Sequence, residues 1–136
     1  MKKVLNVIAA LSVMVLLGIT VNSAFAQDAP GFTVARMVVC EDVADREPVG
    51  AGETFPLSLG AVYGYLEAKD IDADTEIRFV WMHNDIQTAV VPLTIRKGNR
   101  WRTYSSKKLG NRTGAWKVEL QDTEGTVLKT VAFTVE

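Results

Sequence analysis

The clearest pattern in the chain is a strict alternation of apolar and polar residues in three segments. Ile77, Phe79 and Trp81 share one side of the first segment, and residues 116–121 and 131–135 repeat the pattern. A period of two residues with one polar face is typical of an antiparallel strand that packs against a core on one side only. The alternation therefore predicts an antiparallel sheet.

Further apolar segments, rich in β-branched and aromatic residues, recur at even spacing and favour strands over helices. Together they predict seven strands: Phe32–Glu41, Leu59–Glu67, Thr75–His83, Thr88–Ile95, Arg100–Ser105, Ala115–Gln121 and Val127–Val135. Seven short strands in a chain of this length are typical of an immunoglobulin-like β-sandwich, which we predict as a single domain over residues 32–136. A small β-barrel is the alternative.

Turn-forming residues lie between the predicted strands and indicate consecutive hairpins. They are Asn84-Asp85, Lys97-Gly98-Asn99 and Asp122–Gly125. Pro92 lies inside the fourth predicted strand, and because proline cannot donate a ladder hydrogen bond, that strand is expected at a sheet edge or at a bulge. Gly64, inside the second predicted strand, indicates a bulge or a close backbone approach.

Residues Met1–Ala26 have the features of a signal peptide. Two lysines precede an apolar run over Val4–Thr20, and Ala24 and Ala26 supply the small side chains that signal peptidase requires. The run is shorter than the roughly 20 residues of a membrane span, so an uncleaved anchor is the less favoured alternative. We expect Gln27–Gly31 to be a short flexible lead, and the mature protein to be periplasmic or secreted without stable membrane insertion.

The charge balance argues against one class of partner. Two of the 15 basic residues and none of the 16 acidic residues lie in the predicted signal peptide, so the mature net charge is −3, where the full chain has −1. Nucleic-acid binders normally carry a strong basic excess, and that class is therefore disfavoured.

Cys40 is the only cysteine in the chain, which rules out an internal disulfide. Its neighbours Val38 and Val39 predict a buried thiol that behaves as a small hydrophobic side chain. A reactive thiol is the alternative.

The stretch Arg100–Lys108 is the most unusual part of the sequence. On a strand, Arg102 and Tyr104 would point outward, with Ser106 and Lys107 in the loop that follows. Guanidinium, ammonium and phenol groups together suit an anionic or sugar-like ligand. The alternative is a solvated strand face with an arginine paired to a neighbouring acid.

Arg46 lies in a charged segment, Asp45–Gly50, that we predict to be a loop ending in a turn. Because loops carry binding residues more often than strands do, Arg46 is a further candidate contact. The turn-forming proline and glycine alone also explain this segment.

Metal and catalytic patterns are weak. Asp70, Asp72 and Asp74 alternate, but an EF-hand loop would need glycine and glutamate where Thr75 and Trp81 stand. His83 is the only histidine, too few for a zinc site, and no nucleophile elbow accompanies it. We therefore predict no metal ligand, no cofactor and no catalytic residue.

The chain resembles a mainly bacterial family catalogued as domain of unknown function 2914. The resemblance rests on these features: Arg46-Glu47-Pro48-Val49-Gly50, the strand ending at Trp81, the run from Trp101 to Lys107, Gly114–Val118, the turn Asp122–Gly125, and Phe133. It covers roughly residues 45–135. It implies a compact β-domain, often extracytoplasmic or attached to other modules, and it supplies no activity and no catalytic residues.

The sequence thus predicts a non-enzymatic exported binding or accessory module of the bacterial envelope. Its ligand would be an envelope protein or a glycan, and the candidate contacts are Arg46, Arg102, Tyr104, Ser106 and Lys107. The alternatives are a small extracytoplasmic hydrolase that uses His83 and a structural assembly subunit that pairs through an exposed strand edge.

Overall fold

The computed structural model describes residues 30–136. The predicted signal peptide and the first part of the predicted lead lie outside the described residues. Within them the strands are Thr33–Cys40 (β1), Asp42–Ala44 (β2), Glu47–Val49 (β3), Thr54–Phe55 (β4), Ala61–Ile71 (β5), Thr75–His83 (β6), Ile86–Ile95 (β7), Gly98–Lys108 (β8), Gly114–Gln121 (β9) and Val127–Val135 (β10). A 3₁₀ turn spans Leu57–Leu59. No helix in residues 30–136 is both long and apolar enough to cross a bilayer.

The strands form two main sheets and a small hairpin. One sheet has three strands in the order β1-β5-β8, and the other has five in the order β4-β10-β9-β6-β7. The pairs are antiparallel except for β4, which runs parallel to β10. Strands β2 and β3 pair only with each other. The predicted β-sandwich is therefore confirmed, and the barrel alternative is wrong for the described residues because they form separate sheets.

The core lies between the two main sheets and is built from the alternating residues that the sequence indicated. Trp81 and Phe79 are fully buried, and Trp116 is nearly so. The Phe133 ring is stacked on Trp116 at a centroid distance of 5.9 Å and meets Trp81 edge-on at 6.2 Å. These large aromatic faces hold the sheets together by removing apolar surface from water.

At Gly64 the three-stranded sheet approaches Trp81 and Phe79 of the other sheet closely. A Cβ atom at this position would lie 3.1 Å from Cζ2 of Trp81 and 3.2 Å from Cε2 of Phe79. Of the two sequence-based interpretations, close approach is confirmed. The β1–β5 register shift lies elsewhere, between Val34 and Arg36.

Two of the three predicted hairpin turns are confirmed. Asn84 and Asp85 join β6 to β7, and both have positive φ, 51° and 64°, as a two-residue type I′ turn requires. In the turn between β9 and β10, the Asp122 side chain accepts hydrogen bonds from two backbone N–H groups, and Gly125 has a φ of 87°.

The third predicted hairpin, at Lys97-Gly98-Asn99, is wrong. Strand β7 pairs with β6 at the edge of the five-stranded sheet, whereas β8 pairs with β5 in the other sheet, from Gly98 opposite Ile71 onward. The chain therefore crosses between sheets here. Pro92 lies on β7, the predicted edge strand, where its missing N–H group leaves the inner sheet ladders intact.

Candidate functional site

The segment Asp45–Gly50, predicted to be a loop, belongs instead to the β2–β3 hairpin. Ala44 pairs with Glu47, and Asp45 and Arg46 form the tip with φ values of 51° and 63°. The hairpin lies on the outer face of the three-stranded sheet, where the Tyr65 hydroxyl donates a 2.6 Å hydrogen bond to the Arg46 carbonyl. Tyr65 is fully buried although it points away from the core.

Beside the hairpin lies a charge cluster of Arg36, Arg100, Arg102, Glu47 and Glu67. Glu47 contacts Arg36 at 3.0 Å and Arg102 at 2.7 Å, each through a different oxygen. Glu67 does the same with Arg36 at 3.3 Å and Arg100 at 2.7 Å. All four carboxylate oxygens therefore have an arginine partner. Each glutamate links two arginines, so the network restrains the positions of Arg36, Arg100 and Arg102 relative to one another.

A cavity of about 320 Å³ opens on this outer face. Six residues line it: Arg46, Tyr65, Arg100, Trp101, Arg102 and Tyr104. Three of the six are arginines, and neither carboxylate of the charge cluster is among them. Arg46 makes no ion pair within residues 30–136. The cavity wall therefore presents positive charge to whatever enters it.

Three of the predicted contacts meet at this cavity, and two do not. Arg46, Arg102 and Tyr104 line it, as described above. Ser106 pairs with Tyr63 on the same outer face, beyond the cavity lining. Lys107 pairs with Val62, which belongs to the core, so Lys107 lies on the opposite face of β8.

Ser106 and Lys107 are also not in a loop, as the sequence indicated, because β8 continues to Lys108. Burial lowers the pKa of the Lys107 ammonium, and the positive charge of Arg112 lowers it further. Because Lys107 lies on the core-facing side of β8, a ligand in the cavity would not contact it.

Tyr104 supplies an exposed aromatic surface beside the arginines. About half of its surface, 48%, is accessible, while its ring meets Tyr63 edge-on at a centroid distance of 6.1 Å. The Tyr63 contact restrains the ring, while about half of the Tyr104 surface stays accessible. The phenol ring can therefore serve as a flat platform at the cavity mouth.

We expect the Glu47 carboxyl to titrate below the usual range of glutamate. Hydrogen bonds from Arg36 and then Arg102 favour its charged form and lower its pKa. Because the folded-state pKa is the lower one, these contacts stabilise the fold above the unfolded-state pKa, and the contribution is lost as pH falls through the folded-state pKa. Side-chain ¹³C NMR would measure this pKa.

Arg102→Gln should raise the pKa of Glu47, whereas Arg78→Gln, on the opposite sheet, should leave it unchanged. If the pKa of Glu47 in the native chain equals the usual value for glutamate, the arginine contacts are absent in solution.

Cys40 is fully buried, as the sequence predicts. It pairs with Tyr63, and its Sγ lies 3.8 Å from the Tyr63 carbonyl oxygen. Burial raises the pKa of the Cys40 thiol, which disfavours the reactive thiolate. The contacts around the Cys40 thiol therefore do not support the reactive-thiol alternative.

His83 lies at the end of β6, in the other sheet from the cavity. Its Nε2 is 2.7 Å from the Thr113 carbonyl oxygen, so this nitrogen carries the proton and donates it. The ring also packs against Trp116 at 4.9 Å. The nearby Asp85 is paired with Lys117 at 3.3 Å. The hydrogen bond to Thr113 and the packing on Trp116 restrain the His83 ring at the strand end.

Two of the three alternating aspartates make contacts that belong to the fold. Asp74 accepts a 2.9 Å hydrogen bond from the Lys97 backbone and lies 3.8 Å from Arg96. The backbone N–H of Asp72 donates to the Gly31 carbonyl. Within residues 30–136, no group of three His, Cys, Asp or Glu side chains is arranged to hold a metal ion.

The sequence analysis missed several residues of the site. Glu47, Glu67, Arg36 and Tyr65 were not named as candidates, and Arg100 was noted only as a member of its strand. Arg100 could have been found, because it shares a strand face with Arg102. Glu67 carries no such signal, because its burial depends on partners that lie far away in sequence.

Comparison with known families finds a match, which covers the C-terminal part of the chain. Residues 74–135 match DUF2914, described as "Protein of unknown function". The resemblance stated from the sequence is confirmed over this range. The DUF2914 region runs from β6 to β10 and contains the β8 residues of the cavity. Arg46 and Tyr65, which complete the cavity wall, lie before it.

Solved structures and curated proteins add no functional information. Similar structures include the β-glucosidase from Listeria innocua in complex with glucose, with a TM-score of 0.48, 8% identity, and coverage of 76% of this chain and 15% of that one. The β-glucosidase from Kluyveromyces marxianus gives a TM-score of 0.46 and 8% identity, covering 77% of this chain and 14% of that one. The chain thus spans only about a seventh of either enzyme, and likeness at this level carries no argument about function. A search of curated proteins gives no match.

Proposed function

We propose that the chain is a non-enzymatic, exported binding module of the bacterial envelope, and that the cavity beside the β2–β3 hairpin binds an anionic ligand. The observation that supports this proposal is the composition of the cavity wall: three arginines and no carboxylate. Arginine guanidinium groups present paired N–H donors that match carboxylate and phosphate oxygens.

The surplus of positive charge is local. The chain as a whole has a net charge of −1, yet the outer face around the cavity combines four arginines with two glutamates. The glutamates are already paired with Arg36, Arg100 and Arg102. The four arginines outnumber the two glutamates, and Arg46 makes no ion pair within the described residues. An anion entering the cavity would therefore meet a local surplus of positive charge. The glutamate contacts restrain Arg100 and Arg102, which lowers the entropic cost of binding to those two residues.

Export of the module rests on the signal peptide predicted from Met1–Ala26. A binding role is favoured over catalysis because His83, the candidate base, lies in the other sheet and donates its Nε2 proton to the Thr113 carbonyl. The cavity lining itself offers donors and aromatic surface, without a carboxylate, histidine or serine to act as base or nucleophile.

The test is an NMR titration of the mature protein, residues 27–136, with three anionic probes: hexaglutamate, hexagalacturonate and inorganic pyrophosphate. We expect at least one probe to shift the resonances of Arg46, Arg100 and Tyr104. Arg46→Gln or Arg100→Gln should raise the dissociation constant about tenfold, because each removes charge-assisted hydrogen bonds.

Arg78→Gln is the matched control, because it makes the same charge change on the outer face of the opposite sheet. It should leave the affinity within about twofold. The proposal is overturned if no probe shifts the cavity resonances, or if Arg78→Gln weakens binding as much as the cavity variants do.

A further inference from the structure

The structure points to a narrower ligand class, an acidic saccharide chain, and we propose that its carboxylates bind Arg46 and Arg100 while a sugar ring packs on Tyr104. This inference rests on the function proposed above and names the ligand of that same cavity. Three features carry it: the hydrogen-bonding character of the wall, the row of side chains along β8, and the exposed phenol ring.

The wall offers many donors and few acceptors. Arg100 donates its Nε–H to Glu67, and Arg102 donates from Nη1 to Glu47. The other guanidinium N–H groups of both residues make no hydrogen bond among the described residues, although Arg100 Nη2 lies 3.8 Å from a Glu47 oxygen. Arg46 makes no side-chain hydrogen bond in that part of the chain. A ligand that satisfies this wall must be rich in acceptor oxygens. A saccharide with carboxylate, ring and glycosidic oxygens meets that requirement.

An extended peptide is less suited than a saccharide to a wall that offers mainly hydrogen-bond donors. Each peptide unit brings an N–H donor that needs an acceptor when it is buried. The lining contains no carboxylate, and the Tyr65 hydroxyl already donates to the Arg46 carbonyl. An acidic peptide could place its side chains on the arginines, but its backbone donors would find only the hydroxyl oxygens of Tyr65 and Tyr104 as side-chain acceptors in the cavity lining.

The side chains that face the ligand form a line. Arg100, Arg102 and Tyr104 alternate along β8, so they stand on one face about 7 Å apart. Ser106 extends the same row beyond the cavity. This row of two cations, an aromatic ring and a hydroxyl suits an extended ligand. A single small anion would contact only one end of the row.

The aromatic end of the row separates a saccharide from other anions. The Tyr104 ring is half-exposed and forms a T-shaped pair with Tyr63. The C–H face of a sugar ring is apolar and packs against such a surface. Inorganic anions have no apolar face and gain nothing from this residue. The cavity volume, about 320 Å³, lies at the small end of ligand sites and matches a short section of a chain.

The experiment is calorimetric titration of the mature protein with four probes. These are hexagalacturonate, its fully methyl-esterified form, monomeric galacturonate and hexaglutamate. We expect hexagalacturonate to bind more tightly than the monomer, and esterification to abolish measurable binding, since it removes the charges and keeps the rings. Arg100→Gln should weaken hexagalacturonate binding about tenfold.

Tyr104 provides the readout that is specific to a saccharide. Tyr104→Ala should weaken hexagalacturonate binding about three- to tenfold, whereas Tyr104→Phe, which keeps the ring, should stay within about twofold. Binding of hexaglutamate, if present, should not respond to Tyr104→Ala.

The two proposals fail in different ways. If hexaglutamate binds the arginine cavity as tightly as hexagalacturonate does and Tyr104→Ala has no effect, the saccharide inference is overturned while anion binding stands. If the methyl ester binds as well as the acid, the carboxylate contacts are overturned. If neither the galacturonates nor hexaglutamate binds, the saccharide inference is overturned, and the proposed function is overturned with it when pyrophosphate also fails to shift the cavity resonances.

Discussion

Replacing Trp81 with alanine should lower the free energy of unfolding by about 3–5 kcal/mol, the range for removal of a fully buried large aromatic side chain. Trp81 is fully buried, contacts the Gly64 region of the opposite sheet, and meets Phe133 edge-on. Its loss would leave a cavity where the two sheets meet. Urea unfolding followed by circular dichroism would measure the change.

Trp101→Ala is the matched control for that substitution. Trp101 is only partly buried and packs at the margin of the core, so its removal should cost clearly less. Equal losses for Trp81 and Trp101 would show that the sandwich core is not centred on Trp81.

Gly64→Ala should destabilise the fold by about 1–3 kcal/mol, because the added methyl group would overpack the core. A Cβ atom there would lie 3.1 Å from Trp81 and 3.2 Å from Phe79, both of which are fully buried and cannot move freely. Gly52→Ala is the control, since a Cβ atom at Gly52 meets nothing within 4 Å. It should change stability by less than about 1 kcal/mol.

The cause of the Gly64 effect can be isolated with a second substitution. Trp81→Phe shortens the side chain that a methyl group at position 64 would meet. The double variant should therefore lose less stability than the two single variants together, because the sites are in contact and do not add. If the stability losses of the two single variants add up to the loss of the double variant, the close approach of the sheets at Gly64 is contradicted.

Much of the fold was readable from local pattern. Alternation over two residues predicted β6 and β10 to the residue, and the turn at Asn84-Asp85 predicted the hairpin between β6 and β7. The β2–β3 hairpin was missed because each strand has three residues, too few to show a period, and because non-glycine residues occupy the left-handed positions at its tip. The crossing between β7 and β8 was missed because turn chemistry reports a change of direction and not the partner of the next strand.

The candidate site was readable only in part. The outward direction of Arg102 and Tyr104 follows from alternation along β8, and the structure places both at the cavity. Lys107 was misplaced because the strand continues beyond its predicted end, which puts Lys107 on the opposite face. The burial of Glu67 and Tyr65 depends on the hairpin and on arginines from other strands, and such long-range contacts leave no local pattern.

Because Cys40 is buried only in the folded chain, burial of its thiol by folding competes with disulfide exchange at the still accessible thiol. Two-sheet topologies built from distant strand pairs form slowly compared with helical ones, so the thiol stays accessible while the chain is still searching for its partners. In an oxidising compartment, an accessible thiolate exchanges with passing disulfides, and a mixed disulfide at this position would prevent β1 from docking on β5. Once the sheets close, the sulfur is out of reach. If the chain is exported as proposed, slow-folding variants should therefore accumulate as mixed disulfides at Cys40.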